Sequence, residues 1–303
     1  MLENAWEGHA STLANASNTS AFIEAVKHLV KVAKIDLNKP SKVVYARDTR
    51  PSGTALVRAF EDGLNAIGAQ GRNAGVTTTP VLHYLVRAIN TKGTKDEYGP
   101  DSEEGYVEKT TTAFKKLIVS LYTPFRENHS SFNMLQAGKA AIPPLLVDCA
   151  NGVGALALQN IIPALGESLT LTPINDAIST AGALNNACGA DYVKTQQKLP
   201  PSLESHLHPG QRGCSFDGDA DRLMYYYLDE KRQFQMLDGD KIASLVAAFI
   251  VELVKSAGLE GKVKVGVVQT AYANGASTKY LSQVNDPSEF EDSLSDSVQA
   301  FAS

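Results

Sequence analysis

Apolar positions along this chain recur at two spacings, one helical and one extended, and the chain switches between them repeatedly. Across residues 20–34, Phe22, Ile23, Val26, Leu29, Val30 and Ala33 fall at helical spacing, which predicts an amphipathic helix closed by Pro40. Val43-Val44-Tyr45-Ala46 is a short apolar block that predicts a buried strand running into Arg47-Asp48-Thr49-Arg50-Pro51-Ser52-Gly53. Leu56, Ala59, Phe60, Leu64 and Ile67 then share one face of a predicted helix that stops at Gly68. Residues 73–80 predict a strand end turning into a helix that carries Leu82, Leu85 and Val86.

The pattern lapses over residues 90–105, where Gly, Lys, Asp, Glu and Pro predict an exposed loop. A helix is expected over residues 105–122, and the polar, irregular stretch 125–141 marks a candidate domain boundary. Leu145-Leu146-Val147-Asp148-Cys149-Ala150 predicts a second strand, followed by Asn151-Gly152-Val153-Gly154-Ala155 and a helix. That glycine pair lacks the third glycine of a dinucleotide fingerprint, so it argues little for NAD. Residues 170–174 predict another short strand, and Val263, Val265, Val267 and Val268 predict a strand within 262–268. Beyond about residue 284 neither period persists. Alternation of strand, loop and helix on this scale predicts α/β layers.

Composition narrows the classes of function. The chain has 303 residues, room for two or three domains, with 43% hydrophobic and 20% charged content, as in an ordinary globular protein. A net charge of -5 and the absence of a dense Lys/Arg block argue against nucleic acid as the main partner. The longest apolar run, 242–254, is interrupted by Ser244 and Glu252, so no membrane partner is expected. Met1-Leu2-Glu3-Asn4-Ala5-Trp6-Glu7 has neither a basic region nor an apolar core, and no secretory signal is expected. Cys149, Cys188 and Cys214 are odd in number and far apart, which fits reduced thiols and a cytoplasmic location. Oligomeric state is not legible.

The densest chemistry lies in Cys214-Ser215-Phe216-Asp217-Gly218-Asp219-Ala220-Asp221-Arg222, followed by the apolar Leu223-Met224-Tyr225-Tyr226-Tyr227-Leu228. Asp217, Asp219 and Asp221 converge if the turn is tight, and together they would repel one another unless a cation sat between them. Mg²⁺ takes oxygen ligands and leaves positions for water or a phosphate oxygen. Arg222 adds a planar fork suited to phosphate. An EF-hand starting at Asp217 fails, because its sixth and twelfth positions hold Arg222 and Leu228 in place of Gly and Glu. A haloacid-type phosphatase is disfavoured because Gln211-Arg212-Gly213-Cys214, not an apolar strand, precedes the aspartates. An Mg²⁺ site serving a phosphorylated substrate or side chain is the local expectation.

Several separated motifs point the same way. Ala46-Arg47-Asp48-Thr49-Arg50-Pro51-Ser52, Thr78-Thr79-Pro80-Val81-Leu82-His83-Tyr84, Val147-Asp148-Cys149-Ala150-Asn151-Gly152, Cys188-Gly189-Ala190-Asp191-Tyr192-Val193-Lys194 and the Asp217–Arg222 segment resemble the α-D-phosphohexomutase family. Asp238-Gly239-Asp240-Lys241 and Gln269-Thr270-Ala271-Tyr272-Ala273-Asn274-Gly275 narrow the resemblance to its phosphoacetylglucosamine branch, over about residues 3–281. The resemblance implies tandem α/β/α domains with mixed sheets: a partial first domain (1–140), a second domain with the metal loop (141–236) and an incomplete third (237–303).

It also implies an Mg²⁺-dependent isomerase in UDP-N-acetylglucosamine biosynthesis. Such an enzyme converts N-acetylglucosamine 6-phosphate into the 1-phosphate through a phosphoserine and a bisphosphate intermediate. Asp217, Asp219 and Asp221 match its metal ligands, Arg222 matches the arginine beside them, and a phosphorylated amino sugar is the implied partner. The family's Thr-Ala-Ser-His-Asn-Pro nucleophile motif is not in this sequence, and residues 285–303 match nothing in the family. A central fragment with little activity of its own is therefore expected; the alternative is a non-catalytic truncated homologue that keeps the Mg²⁺ loop. No substitute nucleophile stands out. Ser52 reads as a helix cap, Ser215 as packed beside the loop, His83 as structural, and Cys149 and Cys188 as inert buried thiols. Lys194 and Gln196 face either the cleft or the surface.

Overall fold

The computed structural model describes residues 6–39, 41–122, 142–269 and 273–284. The boundary expected at 125–141 and the pattern-free stretch 285–303 lie outside them, as does part of the 269–275 motif. The chain divides into two compact units, one running up to Val43 together with Ala59–Arg72, the other made of Val44–Arg58 together with Asn73 onward.

The first unit holds α1 (Trp6–Ala14) and α2 (Thr19–Val32). Asn18 caps α2, its side-chain oxygen accepting the Ala21 N–H at 2.9 Å, which satisfies one of the amides left open in the first turn. The apolar face expected of this helix exists but is unpacked, with Phe22, Ile23, Val26 and Val32 all exposed. The segment β1 (Lys42–Arg47), α3 (Gly53–Ala66) and β2 (Gln70–Val76) straddles the division, and β1 and β2 form a two-stranded sheet.

The second unit continues through α4 (Thr79–Thr91) and α5 (Glu103–Tyr122) into a five-stranded sheet. Its members are β3 (Leu145–Asp148), β4 (Leu171–Ile174), β5 (Arg212–Phe216), β6 (Leu223–Leu228) and β7 (Phe234–Leu237) in the order β4-β3-β5-β6-β7. The pairs β3–β4 and β3–β5 are parallel, β5–β6 and β6–β7 antiparallel. Between the strands run α6 (Gly154–Leu165) and α7 (Gly189–Gln196). After the sheet come α8 (Gly239–Ser256) and α9 (Gly275–Val284), which meet at Ala248, Val251 and Tyr280.

Strand alternation assigns the sheet two apolar faces. Leu146, Met224, Tyr226 and Leu228 pack with Ala190, Val193, Leu203 and Leu207 on one, while Val147 and Cys214 pack with Cys149, Ala155 and Leu158 on the other. Gly213 lies opposite Tyr226, and a Cβ there would come within 2.4 Å of the Tyr226 ring. The missing side chain makes room for the ring.

The aspartates lie between two strands: β5, which precedes them, is buried along Gly213, Cys214 and Ser215, and small residues suit it because both its faces are covered. One expectation is overturned. Val263, Val265, Val267 and Val268 form no strand, and Val268 is 99% exposed. β-propensity needs a neighbour to hydrogen-bond, and among the described residues none pairs with this segment.

The carboxylate of Asp148, at the end of β3, has no exposure and accepts four hydrogen bonds. The donors are Ala150 N–H (3.0 Å), Asn175 Nδ2 (2.8 Å), Gly189 N–H (2.7 Å) and Ser215 Oγ (2.7 Å). Asp148→Asn would turn a donor amide toward two of these donors, and losing their acceptor should destabilise the fold by about 3 kcal/mol. Urea unfolding followed by circular dichroism checks this; a loss below about 1 kcal/mol would mean the network is dispensable.

Candidate metal centre

The three aspartates lie on one tight loop between β5 and β6. Asp217 Oδ1 accepts the Asp221 and Arg222 N–H groups at 3.1 and 3.0 Å, and Ala220, at φ 58°, lets the chain reverse. One oxygen from each of Asp217, Asp219 and Asp221 lies within 4.8 Å of the others. A cation with oxygen ligands near 2.1 Å needs adjacent oxygens about 3.0 Å apart, so small side-chain rotations would close the set. The donors are hard oxygens without nitrogen or sulfur, which suits Mg²⁺.

Neighbouring turns fix the loop. Gly218 carbonyl accepts the Val153 N–H at 3.1 Å, and a Cβ on Gly152 would sit 2.6 Å from the same oxygen. Asn151 holds that turn by accepting the Ala177 N–H at 2.9 Å and donating to Ala183 carbonyl at 3.0 Å. Thr79 of α4 donates its hydroxyl to Asp219 Oδ2 at 2.6 Å, and Arg50 Nη2 lies 3.9 Å from Asp219 Oδ1.

Arg222 is engaged by carboxylates. Nε donates to Asp217 Oδ2 at 3.0 Å, while Nη1 and Nη2 donate to Asp191 at 2.5 and 3.0 Å. This leaves the second N–H of each terminal nitrogen for a ligand. Both partners in the Arg222–Asp191 pair are about half exposed, so it orients the fork more than it stabilises the fold. The Asp191 hydrogen bonds, working against burial, raise the Arg222 pKa further above its ordinary value.

Electrostatics separate the three aspartates. Burial opposes ionisation of Asp217, but the Arg222 amide and guanidinium outweigh it and lower its pKa. Burial, then the charges of Asp217 and Asp219, raise that of Asp221. The loop carries more negative charge than its arginines balance.

Other sequence candidates are placed apart from this chemistry. Ser52 is exposed just before α3, its carbonyl accepting the Leu56 N–H at 3.0 Å. Ser215 Oγ is buried against Asp148 and, at 2.9 Å, Tyr226 OH. His83 is on the exposed side of α4, and Lys194 and Gln196 are exposed on α7, the helix that carries Asp191. Asp191, Asp148, Thr79 and Arg50 received no role from sequence, although each sits inside a quoted motif. Motif membership was the available signal.

The family description "Phosphoacetylglucosamine mutase AMG1, domain II" matches residues 113–224, domain III of the same protein matches 238–290, and "Phosphoglucomutase/phosphomannomutase, alpha/beta/alpha domain I" matches 6–94. Phosphoacetylglucosamine mutase of Mus musculus is 41% identical over 284 residues, covering 94% of this chain and 48% of that protein. The Candida albicans protein of that name is 38% identical over 296 residues, again 94% of this chain and 51% of its own length. The Aspergillus fumigatus N-acetylphosphoglucosamine mutase crystallised with GlcNAc-6P and magnesium is 43% identical with a TM-score of 0.70, covering 94% of this chain and 49% of its own. The chain thus spans about half the length of the curated relatives it matches.

Cys149, Cys188 and Cys214 are free and buried. Burial, with the nearby Asp148 charge and, for Cys214, first the neighbouring Cys149, pushes their pKa values up to about 12, 11 and 12. The folded chain therefore keeps thiol protons that the unfolded chain releases above about pH 8.5, so stability should fall as pH rises from there toward 11 to 12. Each thiol contributes up to about 1.4 kcal/mol per pH unit in that window. Urea unfolding at pH 7.5 and 9.5 should show the loss, and a variant with all three cysteines changed to alanine should show a flatter dependence.

Proposed function

The chain belongs to the phosphoacetylglucosamine mutase family, and from that premise we propose that it carries the Mg²⁺ centre of an isomerase acting on phosphorylated N-acetylglucosamine. The reaction is conversion of N-acetylglucosamine 6-phosphate into the 1-phosphate, a step of UDP-N-acetylglucosamine biosynthesis. The observation that carries the reading is the convergence of Asp217, Asp219 and Asp221 within 4.8 Å on a loop flanked by Arg222 and Arg50.

Asp217, Asp219 and Asp221 would hold the ion. Mg²⁺, when bound there, neutralises charge on the transferring phosphoryl oxygens. Asp217, buried and held by the Arg222 amide, is the fixed ligand of the set. Arg222 turns its free N–H groups to the phosphoryl oxygens, with Asp191 and Asp217 fixing the plane of its fork. The domain ranges 1–140, 141–236 and 237–303 accompany this reading; the five-stranded sheet, from Leu145 to Leu237, supports the middle one.

Two measurements test the proposal. Calorimetric titration of the 303-residue chain with Mg²⁺ should show one site, weakened about tenfold or more by Asp219→Ala. Phosphorus NMR of the chain with N-acetylglucosamine 6-phosphate, the 1,6-bisphosphate and Mg²⁺ should show little or no 1-phosphate. The sequence holds no Thr-Ala-Ser-His-Asn-Pro motif to carry the phosphoryl group between the half-reactions. Robust, Asp219-dependent turnover would instead place a nucleophile within these residues.

A further inference from the structure

We propose that Thr79 is a positioning residue for the metal centre, its hydroxyl holding the Asp219 carboxylate where a cation needs it. The inference rests on the metal reading above.

Thr77-Thr78-Thr79-Pro80 places three threonines in a row before a helix, and each has a different task. Thr77 is buried, its N–H donating to Arg47 carbonyl at 3.1 Å. Thr78 is the N-cap of α4, Oγ1 accepting the Val81 N–H at 3.4 Å. Pro80 has no N–H to satisfy. The helix start is therefore complete without the Thr79 hydroxyl, which reaches outward to Asp219 Oδ2 at 2.6 Å.

The backbone of Thr79 reinforces this contact, its N–H donating to the Asp219 carbonyl at 3.2 Å. Residue 219 is thus held at two points by a residue 140 positions away. A hydroxyl-to-carboxylate bond this short is charge-assisted. It lies at the N-terminus of a 13-residue helix, whose dipole also favours a negative charge there.

Asp219 depends on such a tether more than Asp217 does. Asp217 is fixed by two loop amides and the Arg222 Nε. For Asp219, the nearest guanidinium nitrogen is Arg50 Nη2 at 3.9 Å, too far for a hydrogen bond. Its side chain keeps 24% of its exposure, so repulsion from Asp217 and Asp221 would favour rotation toward water. Thr79 holds the carboxylate in the cluster and lowers the reorganisation that binding an ion requires.

The test is calorimetric titration of the 303-residue chain with Mg²⁺ alone, comparing the native sequence with Thr79→Val, Thr79→Ser and Asp219→Ala. Valine keeps the branched shape and the N–H but removes the hydroxyl; serine keeps the hydroxyl. Thr79→Val should weaken Mg²⁺ binding about tenfold, at the lower end of what loss of a ligand's hydrogen-bond partner produces, and Thr79→Ser should stay within about twofold of native. Should Thr79→Val fail to fold, Thr79→Ala makes the same comparison. Native-like affinity in the valine or alanine variant, with binding lost in Asp219→Ala, overturns the clamp and leaves the metal reading standing. Equal weakening by serine and valine also overturns it, since packing and not the hydroxyl would then be responsible. No Mg²⁺ binding by the native chain, or undiminished binding by Asp219→Ala, sinks the metal reading and the clamp with it.

Discussion

A buried carboxylate with no exposure must be surrounded by donors, and Asp148 meets that demand with groups drawn from four places in the chain. Ala150 belongs to the turn after β3, Asn175 to the end of β4, Gly189 to the start of α7, and Ser215 to β5. Three of these segments lead within a few residues to a part of the candidate metal centre. Ala150 precedes the Asn151-Gly152 turn against which Gly218 rests, Gly189 lies two positions before Asp191, and Ser215 two before Asp217. One desolvated charge thereby fixes the relative positions of the loop, the arginine's partner and the supporting turn.

Close packing at that point leaves little room for side chains. Gly189, at φ 85°, has Ala150 Cβ and Phe216 carbonyl where its own Cβ would be, 2.8 and 3.1 Å away. Gly154 meets the Phe216 ring in the same way, at 2.9 Å. Glycine is a requirement of space at both positions, and at Gly189 of backbone conformation as well. The rigid base contrasts with the loop above it, where Asp221 is 44% exposed at its side chain and Asp217 only 3%. The three carboxylates grade from fixed to adjustable.

Local chemistry was legible in the sequence wherever it was contiguous. The three aspartates and Arg222 fall in one hexapeptide, and their spacing alone brought them together. The helices α2 to α5 were visible from apolar spacing, and β1, β3 and β4 from short apolar blocks. β5 carries no apolar block, since Gly213, Cys214 and Ser215 resemble a turn, and what makes them a strand is the pair of partners on either side. The valines of 263–268 failed in the opposite sense, with strong propensity and no partner. The bonds from Asp191 to Arg222 and from Thr79 to Asp219 join residues 31 and 140 positions apart, beyond the reach of any pattern.

That long reach also orders the assembly of the molecule in time. The β5–β6 hairpin closes over the six-residue loop 217–222, a local event on the microsecond scale. The Asp148–Ser215 bond waits for residues 67 positions apart to meet and the Thr79–Asp219 bond for residues 140 apart. Closing the longest of these loops costs about 3 kcal/mol more chain entropy than closing the hairpin. The hairpin therefore forms with its three carboxylates crowded at the turn before the groups that restrain them arrive. A cation has no finished cage to enter at that stage. On the proposed metal reading, affinity for Mg²⁺ would be a late acquisition of folding, its onset marking when β3, α4 and the hairpin have found one another.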